Sequence, residues 1–352
     1  MAFKIKDKLI GEEYPTYFIA EIGSNFDQDL ERAKELIKLA KDSGANAAKF
    51  QHYTAQSLVN ELGFSQLGKL SHQAKWNKSV FETYEEASLE FNWTSTLKEE
   101  CDKVGIHFMT SAYSYSLLKA CAEYIPCIKI GSGDISNTPL LEKLDEFNLP
   151  ILIGTGASTI EDVSRVYNLL INNLPICIMQ CNTNYQADIK DFQYQNIHTI
   201  KEYKKLFPKA YFGLSCHCKS PLPVYASVAL GARVIEKHFT DDCSRPGPDH
   251  SFALTPNEFS DMVENVRNLE TILGSSIKSV QENEKDTYYA QRRSICTSKN
   301  LTKGHKIEYC DLDFLRPFLD DAYHPYQNSE IIGKILSKDV PKHTILKRTH
   351  FD

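Results

Sequence analysis

Eight short apolar runs, each followed by a segment of helical periodicity, fill roughly the first 275 residues of this 352-residue chain. That alternation restricts the fold to the α/β classes, in which parallel strands are joined by crossover helices. The runs are TYFIAEIG (Thr16–Gly23), AAKFQ (Ala47–Gln51), IHFMT (Ile106–Thr110) and CIKIG (Cys127–Gly131), then PILIGTG (Pro150–Gly156), PICIMQC (Pro175–Cys181), YFGLS (Tyr211–Ser215) and ARVIEKHF (Ala232–Phe239). DLERAKELIKLAKDSG (Asp29–Gly44) has apolar residues at helical spacing and a closing glycine. STIEDVSRVYNLLINN (Ser158–Asn173) opens with Ser158 and Glu161 in a capping-box pattern. Eight strand–helix units match a (β/α)8 barrel, although counting leaves an open doubly wound sheet standing.

The stretch from His52 to Thr94 is too long for a turn and follows the second strand at its carboxyl end, where insertions commonly cover an active site. After Leu273-Gly274 the pattern changes: a polar segment precedes short strands separated by turns, RRSICTS, NLTKGHKIEY, DLDFLRP and IIGKILSKDV. We divide the chain into a barrel over 1–280, a linker over 281–290 and a small β-rich domain over 291–352. The net charge of −6 argues against a nucleic-acid binder, and no apolar run approaches the roughly 20 residues of a membrane span. The opening MAFKIKDKLIGEEY lacks the apolar centre of a signal peptide, so a cytoplasmic protein is expected. In that setting the ten scattered cysteines read as reduced thiols.

Polar residues collect at the predicted carboxyl ends of the strands: Glu21, Lys49 and Gln51, Thr110 and Ser111, Lys129 with GSGD (Gly131–Asp134), Thr155 and Gly156, Asn182 to Tyr185, Ser215 and His217, and Glu236 to His238. A lysine inside an apolar strand is costly unless it meets an anion, so Lys49 and Lys129 point to an acidic partner or an anionic ligand. The hydroxyls and glycine-exposed amides of GSGD and GTG suit phosphate oxygens. His217 and His238 end the last two strands on one edge, and a two-imidazole site leaves positions open for water and substrate oxygens. Strand alternation turns Cys216 and Cys218 away from His217, which favours the histidine as ligand over a CHC cluster. Asp249 and His250 of GPDH add a loop carboxylate and a further imidazole.

In this order the motifs AEIGSN (Ala20–Asn25), KFQ (Lys49–Gln51), KIGSGD (Lys129–Asp134), GTGAS (Gly154–Ser158), QCNTNY (Gln180–Tyr185), GLSCH, VIEKHFT (Val234–Thr240) and RPGPDHSFALTP (Arg245–Pro256) resemble the sialic acid synthase family of nonulosonate synthases. QRRSI (Gln291–Ile295) resembles the start of that family's antifreeze-like (SAF) domain. The resemblance implies a (β/α)8 TIM barrel with an SAF tail, in a domain-swapped homodimer. It implies condensation of phosphoenolpyruvate with an open-chain 2-acetamido hexose, N-acetylmannosamine or a deoxy diacetamido hexose, to a nine-carbon 2-keto acid plus phosphate. By the same resemblance Lys49, Lys129, Ser132, Thr110 or Ser111, Thr183 and Ser215 would hold phosphoenolpyruvate. His217 and His238 would bind a divalent metal, Mn2+ before Mg2+ or Co2+. Glu21 and Asp134, with Lys49 and Lys129, would act at the reacting centre. Gln51, Tyr185, Asp249 and an arginine of Arg292-Arg293 from a partner subunit would contact the sugar.

The chain departs from the family pattern at several points. Phe26 stands where His is common, Asp27-Gln28 replace the following residues, Cys216 replaces an Asp, Gly154 a Ser, Asp134 a Glu and Gln186 a Pro. These changes bear most on the acceptor sugar. Two other readings compete: a synthase joining phosphoenolpyruvate to a different aldose, and a non-catalytic sugar-binding relative.

Overall fold

The structure is a computed structural model that describes residues 2–67, 76, 78–184 and 189–351. It divides into two compact units, Met1–Gly274 and Ser275–Asp352.

Eight parallel strands build the first unit: β3 (Tyr17–Glu21), β4 (Ala47–His52), β5 (His107–Ala112), β6 (Ile128–Ile130), β7 (Ile151–Gly154), β8 (Ile176–Cys181), β9 (Tyr211–Cys216) and β10 (Val234–His238). They follow one another in the order β5-β4-β3-β10-β9-β8-β7-β6, and the two end strands, β5 and β6, lie side by side. The ring is a (β/α)8 barrel, which removes the open-sheet alternative. All eight strands match the eight apolar runs of the sequence.

Every strand is buried on both faces, and alternation decides which environment each side chain meets. Phe18, Phe50, Ile128, Ile151, Ile178, Leu214 and Ile235 face outward and pack under the surrounding helices. Ile19, Ala47, Met109, Leu152, Met179 and Val234 face inward and form an apolar floor. An antiparallel hairpin of β1 (Phe3–Ile5) and β2 (Lys8–Ile10) adds Phe3, Ile5 and Ile10 to that floor. The helix Leu30–Asp42 is capped by Asp29, whose carboxylate accepts from the amides of Glu31 (2.9 Å) and Arg32 (3.2 Å). The helix Ile160–Leu170 corrects the expected capping box by one residue. Thr159 and Asp162 form it, with the Thr159 amide donating to Asp162 at 3.0 Å, so Ser158 lies outside.

Among its described residues the insertion after β4 carries the short helices Ala55–Leu58, Glu61–Leu67 and Val80–Ala87 and a single turn at Phe91–Trp93. The second unit pairs β11 (Ser294–Thr297) with β12 (Leu312–Leu315) antiparallel and adds isolated bridges such as Leu301–Val340 and Lys306–Ile335. Its core holds Ile295, Leu301, Ile307, Leu312, Tyr323, Ile331, Leu336, Val340 and Leu346. The stretch expected as a linker, 281–290, contains a turn at Glu282–Glu284 and most of the helix Lys285–Gln291, and belongs to this unit.

Candidate active site

Above the apolar floor the inward positions become charged. In the parallel register Glu21 neighbours Lys49 and His238, and Glu236 neighbours Ser215. Glu21 is 1% exposed and Lys49 2%, so each charge must be answered inside the barrel. Lys49 Nζ lies 2.6 Å from Glu21 Oε2 and 3.8 Å from Glu236 Oε2. Lys129 Nζ donates to Glu236 Oε1 at 3.1 Å, and Ser215 Oγ donates to the same oxygen at 3.0 Å. Gln51 Nε2 donates to Glu21 Oε1 at 2.6 Å. Burial raises the Glu21 carboxyl above the ordinary carboxylate range, against the pull of Lys49. Glu236 is equally buried, yet Lys129 and Lys49 outweigh that burial and hold it low. The two carboxyls are thereby driven apart, one poised near neutrality and one firmly ionised.

His217 and His238 stand at the rim of the same cavity with ring centroids 5.3 Å apart. Burial pushes His217 down to about 4 and His238 well below its ordinary value, so both imidazoles are neutral at pH 7. His217 Nδ1 lies 3.1 Å from the Asn182 carbonyl oxygen and 3.6 Å from Cys181 Sγ. A carbonyl only accepts, so Nδ1 carries the proton and Nε2 keeps its lone pair. Asp249 Oδ2 is 3.9 Å from His238 Nδ1. Among the described residues, no group of three or more His, Cys, Asp or Glu side chains converges as a ready metal cage.

The cavity above these residues has a volume of about 710 Å³. Glu21, Lys49, Gln51, Ser111, Lys129, Ser132, Asp134, Thr183, Ser215, His217, His238 and Asp249 all line it. Ser132 Oγ accepts from the Gly156 amide at 3.0 Å, which joins the GSGD and GTG loops. Burial raises Asp134. The insertion supplies a further wall through Leu58, Val59, Phe64, Trp76 and Tyr84. Its expected place over the site therefore holds for those residues.

Thr110 is a correction. Of the two adjacent hydroxyls, Ser111 faces the cavity, whereas Thr110 points outward to His52 Nδ1 at 2.8 Å and to the Phe50 carbonyl at 3.1 Å. Arg292 and Arg293 belong to the second unit. There Arg292 stacks over the Tyr288 ring at 4.1 Å, and Arg293 donates to the Phe314 carbonyl at 2.9 Å. Tyr185 and Gln186 lie outside the described residues. Two departures take on a physical meaning. Phe26 is core, packed on the rings of Phe50 and Trp93. Cys216 faces the outer side of the sheet, where Lys237 Nζ donates to its sulfur at 3.5 Å. Glu236, which contacts both interior lysines, had no assigned role in the sequence reading. Its signal was its place two residues before His238, on the same face of one strand.

The model of the NeuB family matches residues 36–278. The chain is 33% identical over 352 residues to the N,N'-diacetyllegionaminic acid synthase of Legionella pneumophila, covering 97% of this chain and 96% of that protein. It is 31% identical over 327 residues to human N-acetylneuraminate-9-phosphate synthase, covering 92% and 89% respectively. The crystal structure of the N-acetylneuraminic acid synthetase of Leptospira borgpetersenii in complex with citrate superposes with a TM-score of 0.71 at 26% identity, covering 82% of this chain and 95% of that one. A barrel with its charged residues gathered at the carboxyl ends of the strands, matched by these relatives over almost its whole length, leaves one assignment: this chain is an enzyme of the sugar-acid synthase type and belongs to the NeuB family.

Proposed function

We propose that this enzyme condenses phosphoenolpyruvate with an open-chain 2-acetamido hexose to give a nine-carbon 2-keto sugar acid and phosphate. One observation carries the reading: two lysines inside the barrel, Lys49 and Lys129, are held by Glu21 and Glu236 directly below the His217–His238 rim. An anionic substrate placed there meets two fixed cations, with the hydroxyls of Ser111, Ser132, Thr183 and Ser215 around it.

The two imidazoles fit a divalent cation such as Mn2+, since both are neutral and His217 keeps Nε2 as a lone-pair donor. His217 and His238 would hold the ion, which when bound supplies Lewis acidity toward the aldehyde oxygen of the acceptor. The remaining chemistry falls to the chain itself. The enol carbon of phosphoenolpyruvate bonds to the aldehyde carbon as the C=O π bond opens to an alkoxide, leaving positive charge at C2 that Glu236 is placed to stabilise. Water adds at C2, and Glu21, with its raised pKa, takes the proton as general base. The C2 hydroxyl of the tetrahedral adduct then gives up its proton as the C2–O bond to phosphate breaks, the phosphate leaves carrying that proton, and the proton held by Glu21 passes to the alkoxide. Asp134, also raised by burial, is the second carboxyl in reach of the cavity.

The acceptor wall favours an uncharged sugar with apolar substituents. Leu58, Val59, Phe64 and Trp76 offer contact to acetyl and deoxy carbons. Among the described lining residues the cationic side chains are Lys49 and Lys129, and in this reading phosphoenolpyruvate takes both. A deoxy diacetamido hexose fits that wall better than a phosphorylated acceptor, and N-acetylmannosamine is the second candidate. Arg292 or Arg293 of a partner subunit, in a homodimer exchanging SAF-type tails, completes the sugar site in this reading.

The test is inorganic phosphate release from phosphoenolpyruvate with Mn2+ and a panel of 2-acetamido hexoses. Release that depends on the sugar and disappears in His238→Ala is expected. No release with any sugar or metal would refute the reading.

A further inference from the structure

The loop that leaves the barrel after β10 turns back over the mouth and docks on the loop that follows β3. His250 is fully buried at this junction. Its Nδ1 meets Thr240 Oγ1 at 2.8 Å, and its Nε2 meets Asp27 Oδ1 at 2.9 Å. Asp27 is held in turn by Arg32 and Arg245, each 3.2 Å from Oδ2. Asp27 and Gln28 both take left-handed backbone angles, φ 51° and 57°, which few non-glycine residues adopt. One position earlier in the docked loop, Asp249 Oδ2 accepts from the Ser24 amide at 3.2 Å.

Two glycines make room for this docking. A methyl group at Gly23 would overlap Asp249 Oδ2, and one at Gly247 would lie 2.7 Å from His250 Cδ2. The Asp249-His250 pair is thus seated, side chain by side chain, in a cradle built by residues 23–27.

We infer that Asp27 and His250 are positioning residues: they latch the loop after β10 to the loop after β3 and so aim Asp249 into the acceptor end of the cavity. Neither lines the cavity, whereas Asp249 does. The inference rests on the proposed function only in taking Asp249 as a group that meets the acceptor.

The decisive experiment is a steady-state comparison of Asp249→Ala, His250→Ala and the double variant by phosphate release, with Asp27→Asn beside them. His250→Ala is expected to raise the acceptor KM about tenfold, on the order of one lost hydrogen bond, and to leave the phosphoenolpyruvate KM within about twofold. Because His250 acts through Asp249, adding His250→Ala to Asp249→Ala should cost almost nothing more. Additive losses, or an equal rise in both KM values, would overturn the inference and leave His250 a mere packing residue. Should His250→Ala fail to fold, Asp27→Asn carries the same expectations, since it keeps shape and removes the charge facing His250, Arg32 and Arg245.

A readout independent of turnover separates this inference from the proposed function. Asp27→Asn should speed amide hydrogen exchange in residues 241–250 and 22–28 and leave the other strand ends unchanged. Wild-type protein that releases no phosphate would sink the proposed function, while the exchange experiment would still judge the latch. Unchanged exchange in both loops would overturn it.

Discussion

Glu236→Gln isolates the charge that both interior lysines share. At an effective dielectric constant of about 20, the attraction of Glu236 for Lys129 across 3.1 Å amounts to about 5 kcal/mol, and for Lys49 across 3.8 Å to about 4 kcal/mol. Against this, the substitution relieves the carboxylate's own desolvation, several kcal/mol, and the amide oxygen still accepts from Lys129 and Ser215. Lys49 also keeps Glu21 at 2.6 Å, whereas Lys129 loses its carboxylate. The balance is a loss of about 3 kcal/mol, near the lower end of what breaking a buried pair costs. For a unit of this size each kcal/mol moves the Tm by about 2–4 °C, so the barrel should melt roughly 6–12 °C lower. Thermal unfolding by near-ultraviolet circular dichroism reads this directly. Adding Lys129→Met should restore at least half of the loss, because the ammonium left without a carboxylate is then gone. A Tm within about 1 °C of wild type, or above it, would mean that desolvation cancels the attraction, and the claim that Glu236 holds the interior together would fail.

Three further outcomes follow from groups away from the cavity. His52 is fully buried between Thr110 and Thr94, and burial holds it at about 4 against an ordinary 6.5. The unfolded chain binds the extra proton, so this stability is complete above pH 6.5 and is lost as pH falls toward 4; urea midpoints should show a loss of about 2 kcal/mol by pH 5, absent in His52→Gln. In the second unit burial would raise Asp311, but Lys299 at 2.8 Å and His305 at 2.7 Å hold it at about 2. Its stabilisation is present above pH 3.8 and disappears toward pH 2, so Asp311→Asn should remove about 2 kcal/mol from that unit at pH 7 and make its acid unfolding flatter, as urea unfolding followed by circular dichroism across pH would reveal. Lys237 is 1% exposed and donates to the Cys216 sulfur, so Cys216→Asp should give that ammonium a carboxylate and raise the Tm by a few degrees, about 1–2 kcal/mol in scanning calorimetry; a lower Tm would refute the pairing.

The barrel was legible because each of its strands is a short apolar run with a helix pattern behind it, and because polar residues break those runs at one end only. Period-two alternation would also have sorted the site, but only once the register was known. Thr110 and Ser111 are adjacent, so one must face the cavity and the other the helices, and a slip of one residue reverses the choice. The same rule hid Glu236. It was visible as one of three polar residues closing β10, while its partners on β4 and β6 come from segments distant in sequence. Phe26 and Cys216 show the opposite limit. Each departs from the resembled pattern and was expected to bear on the acceptor sugar, while in the structure Phe26 packs on aromatic rings and Cys216 turns to Lys237. The capping box at Thr159 was offset because Ser158-Thr159 and Glu161-Asp162 present the same signal in two frames.

The interior divides into an apolar floor that holds the barrel and a charged ceiling that lines the cavity, on the same eight strands. Floor residues such as Ile19, Met109 and Leu152 pack apolar side chains against the β1–β2 hairpin. One strand position higher the side chains are Glu21, Ser111 and Gly154, and their charge or openness has to be supported by what lies beneath. Stability and activity are therefore coupled in the strand-borne residues. Lys49, Lys129 and Glu236 take part in one buried ion-pair network, so removing any of them disturbs the fold and the substrate pocket together. Residues carried on loops and on the insertion escape that coupling. Ser24, Asp249 and Tyr84 line the same cavity without belonging to the ion-pair network. The strand-borne end of the cavity is in consequence the costly end to alter, and the end built from loops and the insertion is where, on the proposed function, a barrel of this kind would change its sugar while keeping its core.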